Sequence, residues 1–390
     1  MMVNATIVAG NLVNPELAAL ETPALLLDAS KMDRNIERMR ARLAQHKVSF
    51  RPHVKTNKCM QVTQRLLDAG ATSITVSTLR EAEYFSSHGV KDILYAVSMS
   101  PNKLGHALRL RESGVKLAVI VDNVEMALQL NPGHPSGAER LDVLIEIDSD
   151  GHRSGVVPEA AALLEIAQAL RSVGLDVGGV MTHAGDSYNC RSAEALRALA
   201  EQERAAVVRA AQRLREAGYS CPVVSVGSTP TALFAEHLEG VTEVRAGVFI
   251  FFDLVMAGIG VCRTDEIALS VLATVIGHQK EKGWTLTDAG WMAMSRDRGT
   301  SKQPVDQGYG LVCDLAGHPL GDMLMVDANQ EHGILAPRSG NALDAPYLPV
   351  GTQVRVLPNH ACATAAQFPA YQVLDAQQRV TDCWPRFYGW

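Results

Sequence analysis

A chain of 390 residues is too long for one small core and predicts two domains. Hydrophobic residues at 47% and charged residues at 20% are ordinary for a soluble enzyme. A net charge of −6 with no basic run excludes the electrostatic footprint of a nucleic-acid or membrane-surface binder.

In chain order, MMVNATIVAGNLVNPE (1–16) lacks a basic start and reaches an acid at Glu16, which reads against a signal peptide. LETPALLLD (20–28) is strand-like. A first helix is predicted from Ser30, because Met32, Ile36, Met39 and Leu43 share one helical face. From there to about residue 255 one unit repeats: an amphipathic stretch, a glycine, then a short β-branched run. The glycines at 70, 89, 114, 174 and 218 suit the left-handed residue that closes a helix.

The strand-like runs are SFRPHVKT (49–56), TSITVST (72–78), ILYAV (93–97), KLAVIVD (116–122) and DVLIEID (142–148). They continue with VGGVMTHAG (177–185), PVVSVGST (222–229) and EVRAGVFIF (243–251). Eight strands alternating with helices favour an α/β fold in which a (β/α)8 TIM-like barrel closes over residues 29–258. An open doubly wound sheet is the alternative if a strand or two is misread. After about residue 260 the rhythm changes. ALSVLATVIGHQ, GWTLTDAG, DMLMVDAN and TQVRVLPNH are strand-like without long amphipathic helices between them. Residues 259–390, joined by 1–28, therefore read as a β-rich domain.

Barrel active sites lie at the C-terminal ends of the strands, and Lys55 sits at the end of the first. A lysine whose surroundings lower its pKa is suited to Schiff-base chemistry, with Arg51 and Lys58 as nearby cations; the plainer reading is a solvated strand-end lysine. Barrels also bind phosphate through the loops after strands seven and eight. Gly227-Ser228-Thr229-Pro230-Thr231 is placed for that, with small residues admitting backbone N–H groups and Pro230 opening a helix. Arg245-Ala246-Gly247-Val248 offers further amides, although G-S-T-P-T alone is also an ordinary turn.

In an extended chain residues two apart face the same way, so His360 and Cys362 would share one site. Imidazole plus thiolate suits zinc better than magnesium, and no second cluster completes a structural cage, so an open catalytic metal is expected. Alone, H-x-C is more often a buried histidine beside a structural cysteine. Seven cysteines, an odd number with no C-x-x-C pair, argue against a disulfide framework and fit a reducing, cytoplasmic setting.

Together these segments resemble the D-serine dehydratase and D-threonine aldolase group, enzymes with an alanine-racemase-like barrel and a β-domain. The resemblance runs through RPHVKT (51–56), DSDGHRSGV (148–156), THAGDSY (182–188), VGSTPT (226–231), EVRAG (243–247), DAGWMAMSRDRGT (288–300), NQEHG (329–333) and PNHACAT (358–364). It implies pyridoxal 5'-phosphate (PLP) joined to Lys55. Gly227, Ser228, Thr229, Gly247 and Val248 would hold the phosphate, with Arg153, His183 and Tyr188 around the ring. It further implies His360 and Cys362 as ligands of a divalent metal, zinc before manganese or magnesium, and a homodimer. The aldolase branch tends to carry aspartate where Cys362 stands, so Cys362 favours the dehydratases.

The expected reaction is β-elimination of water from a D-3-hydroxy amino acid, D-threo-3-hydroxyaspartate or D-serine. Retro-aldol cleavage to glycine and an aldehyde is the nearest rival. A racemase would need a second base, for which Tyr309 is the one candidate, and a non-enzymatic PLP carrier would lack the metal pair. Arg296, Arg298 and His332 are candidates, by location alone, for reading an acidic substrate.

Overall fold

The computed structural model describes residues 15–131 and 140–390; the readings made of residues 1–14 lie outside them. Eight parallel strands form one sheet: Ser49–Phe50, Ile74–Val76, Asp92–Ser98, Lys116–Val121, Asp142–Ile147, Val177–Thr182, Val223–Val226 and Glu243–Val244. Each falls in or overlaps a run read from the sequence. The first pairs with the eighth, and His53 bridges to Thr75 on the other side, so the sheet closes into the expected barrel. The first strand is shorter than its hydrophobic run because Pro52 has no N–H to donate; its carbonyl still accepts the Thr75 N–H at 2.8 Å.

Alternation along the strands sorts their side chains. Tyr95, Val119, Val143 and Ile145 pack outward against the helices. Leu94, Ile120, Leu144 and Met181, one from each of four neighbouring strands, form a separate cluster that fills the barrel lumen. All five helix-closing glycines have positive φ, between 77° and 102°. The first helix is Ala29–His46 and buries the four predicted residues. It starts one residue before Ser30, because the Asp28 carboxylate caps it by accepting the Lys31 N–H at 2.9 Å.

The second sheet is antiparallel where it closes. Leu269–Gln279, Trp284–Thr287, Gly333–Pro337, Pro319–Ala328, Gly310–Cys313 and Gln353–Pro358 pair in that order, and the last returns to the first. Ala24–Asp28 extends this ring beside Leu269–Leu272 and runs parallel to Gln372–Leu374. The strand-like reading of 20–28 thus belongs to the second sheet. Ala370–Leu374 and Val380–Pro385 complete it as a hairpin. Among the described residues no helix is long and apolar enough to cross a membrane, and all seven cysteines are free.

Candidate active site

A cavity of about 610 Å³ opens at the C-terminal ends of the barrel strands, with Met181 and Ala96 in its floor. Lys55, Arg153, His183, Tyr188, Gly227, Ser228, Thr229, Gly247, Val248, His360 and Cys362 all line it. Residues scattered over more than three hundred positions therefore meet in a volume suited to a small cofactor and substrate.

Lys55 sits in the turn after the first strand, and its side-chain amine has no hydrogen-bond or ion-pair partner among the described residues. The cations expected to press on it are engaged elsewhere. Arg51 pairs with Asp92 (2.7 Å) and Glu243 (2.9 Å), both first residues of their strands and so at the opposite end of the barrel. Lys58 pairs with the buried Glu81 at 3.1 Å.

The Lys55 turn is gripped from far along the chain. The Asn57 carbonyl accepts from Tyr371 Oη–H (2.8 Å) and from Arg386 Nε–H (3.2 Å). Phe387 N–H donates to the Lys58 carbonyl, and the Lys58 ammonium lies 5.0 Å from the Trp390 ring centroid. This clasp sets the backbone from which Lys55 projects.

On the opposite wall His183 donates its Nδ1–H to the Gly227 carbonyl, which assigns the tautomer and leaves Nε2 as an acceptor. Burial, with the positive charges of Lys55 and Arg153, pushes its pKa down to about 3, so the ring stays neutral. Tyr188 lies in the short turn Gly185–Asn189, with its ring centroid 6.4 Å from that of His183. Burial, then the nearby Cys362 and Asp253, keep the phenol protonated. Arg153 faces the buried Glu146 at 3.7 Å.

Ser228 caps the helix Thr229–Phe234, its Oγ accepting the Thr231 N–H at 3.2 Å. Pro230 is thus the second helical residue, not the first. The amides of Ser228 and Thr229 have no acceptor within that helix. A Cβ on Gly247 would come within 2.9 Å of the His53 carbonyl and 3.2 Å of Thr56 Oγ1, so only glycine fits this close approach. Glu203, 2% exposed on the long helix Ala193–Glu216, accepts the N–H groups of Ala184 and Gly227 at 3.1 Å each. It joins the loop carrying His183 and Tyr188 to the one carrying Ser228. Sequence reading missed it, although a glutamate in line with Leu196, Leu199, Ala200 and Val207 on an apolar face was a visible signal.

His360 and Cys362 meet, but not along a strand. His360 is the residue that caps the short helix Ala361–Ala365, and Cys362 lies in its first turn. The Asp297 carboxylate accepts His360 Nδ1–H at 2.6 Å, leaving Nε2 for a further partner. Thr56 Oγ1 lies 3.1 Å from Cys362 Sγ. Burial works against charge here, but the Cys362 sulfur and Asp297 raise the His360 pKa to about 11. Burial likewise opposes ionisation of Cys362, yet His360 and then Lys55 lower its pKa, so each member of the pair favours the charged form of the other. The turn itself is anchored by Asp253, which accepts the Ala361 N–H at 2.9 Å, and by Asn359, which accepts from Thr300 N–H (3.0 Å) and Oγ1–H (2.6 Å).

The remaining candidates lie elsewhere. Arg298 pairs with Asp306 at 2.7 Å and covers Tyr309, while Arg296 covers Trp291. None of Arg296, Arg298, Tyr309 and His332 lines the cavity.

Residues 27–255 match the alanine racemase N-terminal domain family, and residues 268–374 match the serine dehydratase domain family. The chain is 56% identical to D-threo-3-hydroxyaspartate dehydratase of Delftia sp. strain HT23, over 96% of this chain and 99% of that one. It is 28% identical to D-serine dehydratase of Dictyostelium discoideum, over 94% and 96%. Among solved structures, two variants of D-threo-3-hydroxyaspartate dehydratase superpose with a TM-score of 0.94 at 55% identity. One replaces a histidine with alanine and is covered to 97%, as is this chain. The other, metal-free, replaces a cysteine two positions further on; the match spans all of it and 96% of this chain.

Proposed function

Because the chain belongs to the family that joins an alanine racemase N-terminal domain to a serine dehydratase domain, we propose that this cavity holds PLP and a divalent metal and removes water from D-threo-3-hydroxyaspartate. The enzyme is a lyase that releases oxaloacetate and ammonia, with D-serine to pyruvate as the related reaction. One observation carries the reading: a partnerless lysine, a cluster of small residues and a histidine–cysteine pair share the same cavity at the C-terminal end of a barrel.

The residues fit both groups. Lys55 would bind the cofactor's aldehyde carbon, and the Ser228, Thr229, Gly247 and Val248 amides its phosphate. Arg153, His183 and Tyr188 would surround its ring. PLP, when bound, supplies a ring that takes up the electrons released at Cα. His360 Nε2 and Cys362 Sγ would hold the metal, which supplies positive charge for the departing hydroxyl. Among the described residues no group of three or more His, Cys, Asp or Glu is placed to hold an ion, so two protein ligands leave positions open for substrate. The same two-residue spacing separates the histidine and cysteine replaced in the dehydratase variants.

The chain's own part follows from these positions. The freed Lys55 amine takes the proton from Cα as general base. Cα–H and Cβ–O bonds break, the hydroxyl leaves as water, and the resulting enamine hydrolyses to the keto acid and ammonia. His183, its pKa pushed down to about 3, is too weak a base to take that proton, and Tyr188 is held protonated, so both orient without competing for it.

Asp297 would orient the metal-binding imidazole. Asp297→Ala is expected to weaken zinc binding by about 10- to 100-fold, as such supporting carboxylates do; competition with a chromophoric chelator measures it. The reading as a whole is tested by incubating the protein, with PLP and zinc or manganese, with D-threo-3-hydroxyaspartate, D-serine and D-threonine. Ammonia matched by oxaloacetate or pyruvate is expected. Glycine without ammonia would make it an aldolase. On family resemblance we also infer zinc as the metal, a homodimer and a cytoplasmic setting.

A further inference from the structure

We propose that Lys302 binds the second carboxylate of a 3-hydroxy dicarboxylic amino acid; the inference rests on the dehydratase reading above and names the residue that sets its substrate class. Five cationic side chains line the cavity, Lys55, Arg153, Arg191, Arg245 and Lys302, against the two carboxylates of Asp253 and Asp297. Such an excess suits contents with several negative charges.

Four of the five have other work. Lys55 is the nucleophile and base of the reaction. Arg245 is buried, donates to Ser225 Oγ at 2.8 Å and to the Thr182 carbonyl, and is surrounded by Glu243, Glu203 and Glu146. Arg153 faces Glu146. Arg191 donates to the carbonyls of Tyr188 (3.1 Å), Cys190 (2.9 Å) and Lys302 (3.2 Å). Apart from Lys55 itself, only the Lys302 ammonium of these five is left without a hydrogen-bond or ion-pair partner among the described residues.

Its place in the fold matches the chemistry. Lys302 ends the short turn Gly299–Lys302. Asp297, just before that turn, holds His360, and Thr300 within it is bonded twice to Asn359, the residue before His360. Arg191 fixes the Lys302 carbonyl from the other side. The backbone that carries Lys302 is therefore tied to the imidazole beside which the substrate's β-hydroxyl would leave. In 3-hydroxyaspartate the second carboxylate is on the same carbon as that hydroxyl. An ammonium with three donors on a long stem suits a carboxylate on the carbon that loses the hydroxyl. D-Serine has only hydrogen there and gains nothing from it.

The test compares kcat/KM for D-threo-3-hydroxyaspartate and D-serine in the wild-type holoenzyme and in Lys302→Met and Lys302→Arg. The ratio of the two values is expected to fall about 10- to 100-fold in Lys302→Met, as for loss of a hydrogen bond to a charged group, and to be largely restored in Lys302→Arg. Equilibrium binding gives a second readout. D-Aspartate, which has no β-hydroxyl to lose, should bind Lys302→Met about 10- to 100-fold more weakly, with a smaller change for D-alanine. An unchanged ratio, or an equal fall with both substrates, would overturn the assignment. A wild-type enzyme that dehydrates neither substrate would instead overturn the dehydratase reading beneath it.

Discussion

Lys55→Ala is expected to lower kcat by at least about 10³-fold, with D-threo-3-hydroxyaspartate and D-serine alike. A positioned general base is worth roughly 10²–10⁴, and this substitution removes the covalent anchor as well. The distinguishing readout is not the rate alone. Wild-type protein incubated with PLP should retain it through gel filtration with the visible absorbance of a lysine Schiff base, and Lys55→Ala should show neither. The clasp from Tyr371 and Arg386 acts on the Asn57 backbone, not on the Lys55 side chain. The exposed Lys55 side chain also has no partner to lose, so the variant should melt within a few degrees of the cofactor-free wild type. A variant that keeps the absorbance would move the anchor to another residue.

Cys362→Ala should leave the lysine Schiff base in place and remove the metal. Lewis-acid help to a departing hydroxide is worth several kcal/mol, so turnover is expected to fall by about 10³-fold while the bound zinc, read by elemental analysis, is lost. Cys362→Asp is the more informative partner, because the family resemblance implies an aspartate at this position in the aldolase branch. It should still bind a cation but prefer the harder manganese or magnesium over zinc. Full activity of Cys362→Ala after chelation would remove the metal from the mechanism.

The barrel was legible because its strands are short apolar runs set off by glycines in the left-handed conformation. The second sheet was legible only in part. Gly333–Pro337 is buried on both faces and so does not alternate, while Val380–Pro385 is largely exposed, and neither carries a period-two signal. At the site, residues on strand ends could be placed because chain position and barrel geometry coincide. Nearness in sequence misled for Arg51 and Lys58, since a strand carries one residue to the far end of the barrel and a turn carries another to Glu81. His360 and Cys362 meet through the start of a helix rather than an extended chain, so the correct pairing rested on the wrong geometry. Asp297, Asn359 and Glu203 act through contacts spanning 63, 59 and up to 24 residues, which no local pattern encodes.

The clasp on the Lys55 turn also orders events during synthesis. Asn57 and its partners Tyr371 and Arg386 are separated by 314 and 329 residues. At roughly 5–20 residues per second, a ribosome needs about 15 seconds to a minute to cover that distance. All eight barrel strands have emerged by residue 244, well before either partner. A barrel that closes before then carries Lys55 on a turn held by the barrel's own bonds but still without its clasp, so part of what sets the oldest residue of the site is made last.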